Sequence, residues 1–467
     1  MAMKLSRKFL IVIAVAALIG VPTLAGADDQ PRYFKLTILH TNDVHGHLFP
    51  FDYGKEKNVG GVARRGSLIR SLRAEADWPM LVVDAGDIFT RGPLARIYRG
   101  EPDVAAMNVI PYDVITLGNN EFKGADGLEG QRVMRERIRQ ARFPVVCANV
   151  VETATGKPLV PPYVILSAGG RRIGIFGLTA PRVASYSQAE GLTIRDPVDT
   201  AKDIVPQLLQ QADVVVALTH IGYDLDRKLA AKVPGIDLIV GGDSHTWLFK
   251  PVVVPIVDSP QAFWVGGPVI VQDGEWGKCL GRVDLYMRRA TGHDYQVMSF
   301  RGKLLPITSP ITDLPEVTRT LEPYIRPLRE VVGRLEQEVP KEKASAWTAE
   351  ALRSVLGADV GAFSDSNIEA GLRAGPVTKL DLLKVYPFNN RVVSVRLTGR
   401  QLAELIAQTK PGTAGAENLE PGKRYTFVAN DSLLSIWPPA QGLDKETLEK
   451  RVYEIVIQYL CEKRRGS

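Results

Sequence analysis

Three cysteines, Cys147, Cys279 and Cys461, are all that 467 residues contain, and no two of them form a CxxC pair. An odd, widely spaced set excludes a disulfide framework, so the fold must rest on its hydrophobic core. Beyond the N-terminus there is no apolar run of membrane-spanning length, no internal repeat and no low-complexity segment. One-sided charge is missing too. Of the formal net charge of +6, Lys4, Arg7 and Lys8 supply three in the first 27 residues, where no acid occurs. What remains is too small and too evenly spread to point to nucleic acid as a partner. Histidine is scarce as well, with six in the whole chain.

What is present begins with those three cations. They precede the apolar run Phe9 to Gly20, and small residues, Ala25 and Ala27, stand before an acidic start in "TLAGADD". This is the layout of a cleaved secretory signal over residues 1–27. The "GVP" that closes the run breaks a spanning helix, and no cysteine sits at the cleavage site for a lipid anchor. The expected product is exported, periplasmic or extracellular, without a stable membrane anchor. With 45% apolar and 24% charged residues, the 467-residue chain has the composition of two or three globular domains.

From Phe34 to about Arg301 short apolar runs alternate with amphipathic stretches. "FKLTILH", "MLVVDAG", "DVITLG", "PVVCANV", "IGIFGL", "DVVVALTH" and "IDLIVGG" read as buried strands. "GSLIRSLRAEA", "GQRVMRERIRQA" and "AKDIVPQLLQQA" read as helices. That alternation predicts a layered α/β domain. Residues 312–339 carry apolar positions at helical spacing among dense charges, and predict one long linking helix. A second unit follows from about Lys341 and ends in an expected helix over "DKETLEKRVYEIVIQYLCEK".

Five strands finish in polar residues: "HTNDVHGH", "DAGD", "GNNE", "THIG" and "GGDSH". Ligands of open α/β sheets collect at such carboxyl ends. Five of the six histidines, His40, His45, His47, His220 and His245, lie in or beside these blocks, and only His293 does not. A solitary histidine is ordinarily a core or surface residue, but a scarce residue type gathered at strand ends argues for ligation. Asp43, His45, Asp87, Asn119, His220, Asp243 and His245 would supply neutral and anionic donors for two divalent cations, with Asp87 as the bridge. His40 reads as a core residue and His47 as a neighbour of the site or a surface residue.

In their order, "ILHTNDVHGHL", "LVVDAGDIF", "DVITLGNNEF", "VVVALTHIGYD" and "IVGGDSHT" resemble the five blocks of secreted 5′-nucleotidase/UDP-sugar hydrolase type metallophosphoesterases. "AGPVTKLDLLKVYPFNNRVVSVRLTGRQL" is similar to that family's C-terminal substrate-binding domain. The resemblance implies a layered α/β metallophosphoesterase domain, two sheets flanked by helices, over 33–302. A linker with a long helix over 303–340 and a smaller α+β domain over 341–463 would follow. It assigns Asp43, His45, Asp87 and His245 to one metal, and Asp87, Asn119, His220 and Asp243 to the other. Mn, Zn, Mg and Co all suit such donors. The implied reaction is hydrolysis of a small phosphorylated substrate, a nucleotide-like one included, by a metal-activated water.

Three departures from the family pattern fall on working residues. Where the family has G-N-H-E-F-D, with a histidine and aspartate acting as a catalytic dyad, this chain has Asn120 and Lys123. An amide cannot transfer a proton, and acid–base help is typically worth about 10²–10⁴-fold. Lys123 reads as a solvated cation, or as a replacement charge if it turns inward. The block that usually opens G-G-H has Asp243, a harder ligand that suits Mn²⁺ or Mg²⁺. In "SDSNIEAG", Glu369 stands where a substrate-binding arginine is expected. Of the two rings that sandwich a base, Phe388 in "YPFNN" matches one, with Asn390 beside it, while Trp437 reads as core. The expectation is a 5′-nucleotidase-type phosphoesterase with altered catalysis. The alternative is a weakened or inactive homologue that keeps the metals for binding or structure.

Overall fold

Runs rich in valine, isoleucine and leucine, apolar on both faces, favour strands buried between layers. The computed structural model describes residues 33–89, 92–123, 130–255, 266–289, 295–388 and 390–466. The expected signal over 1–27 lies outside them, as does His293. Tyr33–Thr41, Met80–Asp84, Val114–Thr116 and Val145–Val146 run parallel, side by side. Cys279–Arg289 and Tyr295–Pro306 extend that six-stranded sheet antiparallel beyond Tyr33–Thr41. In a second six-stranded sheet Val269–Val271, Leu238–Gly241, Val214–His220 and Arg171–Thr179 are parallel neighbours, with Val252–Val253 and Tyr163–Ala168 as antiparallel edges.

The two sheets pack face to face over one apolar layer, in which Ile38, Val83 and Leu285 meet Ile175, Val216 and Val240. Each such side chain contributes about 1.5–3 kcal/mol on full burial. Helices Val62–Ala74, Glu101–Met107 and Gly130–Gln140 cover the outside of the first sheet through Ile69, Met107 and Met134. Pro197–Leu209 and Tyr223–Lys232 cover the second through Leu208 and Leu229. The expected layering is present, and it leaves the carboxyl ends of both parallel sets at one rim.

The smaller domain is built on a mixed five-stranded sheet in the order Gly412–Ala414, Val360–Phe363, Arg424–Asn430, Arg391–Thr398 and Lys445–Arg451. Two of its helices start on capping boxes, in which Thr378 pairs with Asp381 and Thr398 with Gln401, each satisfying donors that a helix start leaves open. Trp437 is fully buried in this domain's core. No helix among the described residues is long and apolar enough to cross a membrane.

Two expected helices are not formed as read. Residues 312–339 hold a helix only over Pro315–Ile325, then a 3₁₀ turn over Arg326–Arg329 and a strand over Val331–Leu335. Pro327 has no backbone N–H to donate, and Val331 and Val332 favour an extended chain. Nor does the segment stand free. Val317, Leu321 and Ile325 pack into the first domain's core, and the Tyr324 hydroxyl donates to Glu101 Oε1 at 2.8 Å. Val331–Leu335 pairs with Gly375–Thr378 of the smaller domain. At the C-terminus the helix starts at Val452, because Lys445–Arg451 is an edge strand on Arg391–Thr398. Its charged residues suit an exposed sheet edge.

Candidate metal centre

Each polar block leaves a parallel strand at its carboxyl end, three from the first sheet and two from the second. Among the described residues nine non-glycine positions have positive φ, and five of them are Asp43 (49°), His45 (46°), Asp87 (57°), Asp243 (78°) and His245 (52°). Such backbone costs roughly 1–3 kcal/mol per residue and persists where surrounding structure enforces it. Here the first two loops enforce it on each other. The Asp43 N–H donates to Gly86 O at 3.0 Å and the His45 N–H to Asp87 O at 2.9 Å. Close approach also demands glycine at 118, where a Cβ would stand 2.2 Å from Asp87 Oδ1.

Side chains aimed by these loops converge. His45 Nε2 and His245 Nε2 are 3.2 Å apart, and Asp43 Oδ1 lies 3.3 Å from His245 Nε2 and 3.7 Å from His45 Nε2. Asp43 Oδ1 is also 3.7 Å from His220 Nε2, which is 3.2 Å from Asp87 Oδ2. Donors about 2.1 Å from a shared cation stand roughly 3–3.5 Å apart, close to this spacing. Both groupings, Asp43 with His45 and His245, and Asp43 with Asp87 and His220, are compact enough to hold an ion.

Ring orientation fits the same purpose. The His220 Nδ1–H donates to the Ala85 carbonyl at 2.7 Å, and His245 Nδ1 donates to Glu275 Oε2 at 2.6 Å. Each bond fixes a tautomer that leaves Nε2 for a cation. Asp43 Oδ1 and His220 Nε2 are buried without a hydrogen-bond partner, a condition a cation would relieve. Burial opposes charge on His220, but Asp87 and Asp43 outweigh it and hold its pKa well above the ordinary value. Burial likewise opposes charge on His245, yet the Asp43 and Glu275 carboxylates beside it push its pKa up to about 10. Asp87 is buried too, and the His220 charge keeps it ionised.

Asn119 and Asp243 meet a further partner, although Asp243 Oδ1 also lies 3.7 Å from His220 Nε2. Arg182 donates from Nη1 to Asp243 Oδ2 at 2.6 Å and from Nη2 to Asn119 Oδ1 at 2.7 Å, and Nη2 also contacts Asp243 Oδ1. Tyr186, four residues further on, accepts from Asn119 Nδ2 at 3.2 Å. Neither residue carries a local signature in "PRVASYSQA"; only the fold brings that 3₁₀ segment to the rim.

The positions of the usual dyad are reorganised. Asn120 is nearly buried and gives Asp87 both its backbone N–H, at 2.7 Å to Oδ1, and its side-chain amide. Lys123 is half-buried rather than solvated, its Nζ 4.3 Å from the centre of the Tyr186 ring. Between them Glu121, unread in the sequence, accepts the N–H groups of Asp87 at 2.9 Å, Ile88 at 2.7 Å and Gly118 at 2.7 Å. His40 is buried against Gly281, and burial pushes its pKa down to about 3. His47 stacks on Trp276, ring centres 4.5 Å apart.

That stack belongs to an aromatic cluster also missed in the sequence. Tyr53 and Phe51 meet Trp276 edge-on, Tyr53 meets Trp247 the same way, and the Tyr53 hydroxyl donates to Glu275 Oε1 at 3.2 Å. The cluster is thus tied to the histidine that Glu275 orients. In the smaller domain Phe388 is half-buried, and Asn390 accepts from Asn367 at 3.1 Å and donates to Asp431 at 3.2 Å. Glu369 pairs with Lys341 at 3.8 Å; burial raises its pKa, which Lys341 opposes and Glu275 reinforces.

Comparison with known proteins agrees with this architecture. Residues 36–247 match the calcineurin-like phosphoesterase family and residues 329–436 the 5′-nucleotidase C-terminal domain. Protein UshA of Yersinia enterocolitica is 28% identical over 475 residues, covering 89% of this chain and 82% of the relative. A 5′-nucleotidase of Vibrio cholerae is 29% identical over 480 residues, covering 88% and 83%. Among solved structures, the 5′-nucleotidase precursor from Thermus thermophilus superposes with a TM-score of 0.69 at 25% identity, covering 92% of this chain and 97% of that one.

Proposed function

Because the chain belongs to the 5′-nucleotidase family, with a calcineurin-like phosphoesterase domain and a 5′-nucleotidase C-terminal domain, we propose that it is an exported, metal-dependent phosphoesterase acting on a small phosphate ester. One observation carries the reading: Asp43 Oδ1 and His220 Nε2 are buried, unpartnered and surrounded by the donors of His45, Asp87 and His245. Those five residues would hold the metal. A divalent cation there supplies Lewis acidity and an activated water for attack on phosphorus.

The protein's own groups do the rest. Glu275 and the Ala85 carbonyl orient His245 and His220, while Asn120 and Glu121 fix the Asp87 carboxylate and the turn behind it. The aromatic cluster of Tyr53, Trp247 and Trp276 supplies flat apolar faces for the leaving group, and the relatives' names favour a nucleotide-like one. Phe388 is the corresponding candidate in the smaller domain, whereas Asn390 is engaged within it. Of the set expected for the first cation, Asp43, His45 and His245 lie together, while Asp87 groups with Asp43 and His220. Export rests on the signal-like first 27 residues.

A specific observation favours a second reading, a slowed or inactive homologue that retains the metal for binding or structure. The Asn120 amide is spent on Asp87, so no proton donor occupies the usual histidine position, and Glu369 places a carboxyl where an arginine would meet phosphate. A panel of phosphate esters, nucleoside monophosphates and nucleotide sugars among them, assayed with added Mn²⁺ and again after chelation, separates the two. Chelator-sensitive turnover supports the enzyme; bound metal with no turnover on any ester supports the second reading.

A further inference from the structure

We propose that the guanidinium of Arg182 is the built-in cation of the second metal position, so that each chain binds one divalent ion and not two. The inference rests on the metal-centre reading above and changes its stoichiometry. Of the three residues that would serve the second ion alone, Asn119, His220 and Asp243, Arg182 engages two: Nη1 meets Asp243 Oδ2 at 2.6 Å, Nη2 meets Asn119 Oδ1 at 2.7 Å, and Nη2 also touches Asp243 Oδ1. Both carboxylate oxygens and the amide oxygen are thereby used by one planar donor.

The departure at 243 gains a reason. A guanidinium presents a rigid fork that matches a carboxylate by paired hydrogen bonds, whereas an imidazole offers at most one acceptor. Aspartate in place of the family's histidine is thus the exchange that a resident arginine requires. A divalent ion close to those oxygens would also sit against the guanidinium, like charge against like charge. Lys123 adds a second cation nearby, on the ring of Tyr186, which itself accepts from Asn119. Charge that a second metal would bring is already carried by side chains.

The donors that Arg182 does not touch are joined through one atom. Asp43 Oδ1 is shared by both compact donor groups, with His45 and His245 on one side and Asp87 and His220 on the other. Asp43 Oδ1 and His220 Nε2 are the unpartnered atoms of this set, and neither touches Arg182.

The test counts ions. Purified mature chain is saturated with Mn²⁺ and desalted, then its metal content is measured alongside its electron paramagnetic resonance spectrum. Wild type should retain one Mn²⁺ per chain with the hyperfine pattern of an isolated ion. Arg182→Ala should retain two and show exchange coupling between neighbouring ions. The double variant Arg182→Ala with Asp243→His should do the same, and it keeps the test informative if the single variant unfolds on loss of the Asp243 pair. Two coupled ions in wild type overturn the inference, as does one ion in every folded variant. Wild type that retains none defeats the metal-centre reading itself, an outcome distinct from either.

Discussion

Asn120 donates its backbone N–H and its side-chain amide to the two oxygens of Asp87, so the residue at the usual histidine position acts as a clamp on the central carboxylate. It positions Asp87 and has no proton to give a leaving group. If hydrolysis is slow for that reason, Asn120→His with Lys123→Asp should raise kcat by about 100-fold or more, the usual value of general acid–base help. Steady-state kinetics with Mn²⁺ on the best ester of the panel checks this. An unchanged kcat would show that loss of the dyad does not limit the rate.

Glu121 holds three buried backbone donors, those of Asp87, Ile88 and Gly118. Each orphaned donor costs about 1–3 kcal/mol, so Glu121→Ala should destabilise the protein by about 3 kcal/mol or more. Denaturant unfolding measures the loss. Metal retention should fall with it, because the turn that presents Asp87 loses its anchor.

Metal affinity should rise with pH. His220 and His245 are held above their ordinary pKa, the latter at about 10, so an entering cation displaces protons at neutral pH. Calorimetry of Mn²⁺ binding in buffers of different ionisation enthalpy should register proton release, and affinity should weaken as pH is lowered from 8 to 6. Affinity independent of pH would exclude these histidines as ligands.

Asp103 gives a pH dependence independent of the metal. It is buried, with its pKa raised to about 8 by desolvation, which the Arg65 and Arg137 charges only partly offset. A raised carboxyl pKa means the folded state binds the proton more tightly than the unfolded chain, so this group's contribution is present at low pH and is lost as pH rises from about 4 through about 8. Asp103→Asn should flatten that decline and stabilise the protein at pH 8 by more than about 1 kcal/mol, read from unfolding midpoints at pH 5 and pH 8.

How much of this was legible in the sequence depended on how local each signal is. Asp43, Asp87, Asn119, His220 and Asp243 each end or follow an apolar strand, and a strand is visible in a handful of residues, so their meeting at one rim could be expected. Arg182 and Glu275 could not be read, because neither lies in such a block and each reaches the site only through tertiary packing. Glu121 was in plain view between Asn120 and Phe122, but nothing in its neighbours reveals that its carboxylate caps three backbone donors. The long helix over 312–339 failed for the opposite reason. Helical spacing of apolar residues was real over Pro315–Ile325, but Pro327 and the following valines ended it, and local punctuation overrode the period.

The central claim is that a metal centre built around Asp87 hydrolyses phosphate esters, and Asp87→Ala measured beside wild type tests it most directly. Folded wild type should turn over at least one phosphate ester with Mn²⁺, and the folded variant should lose both that turnover and bound metal. Turnover that survives Asp87→Ala undiminished would contradict the account.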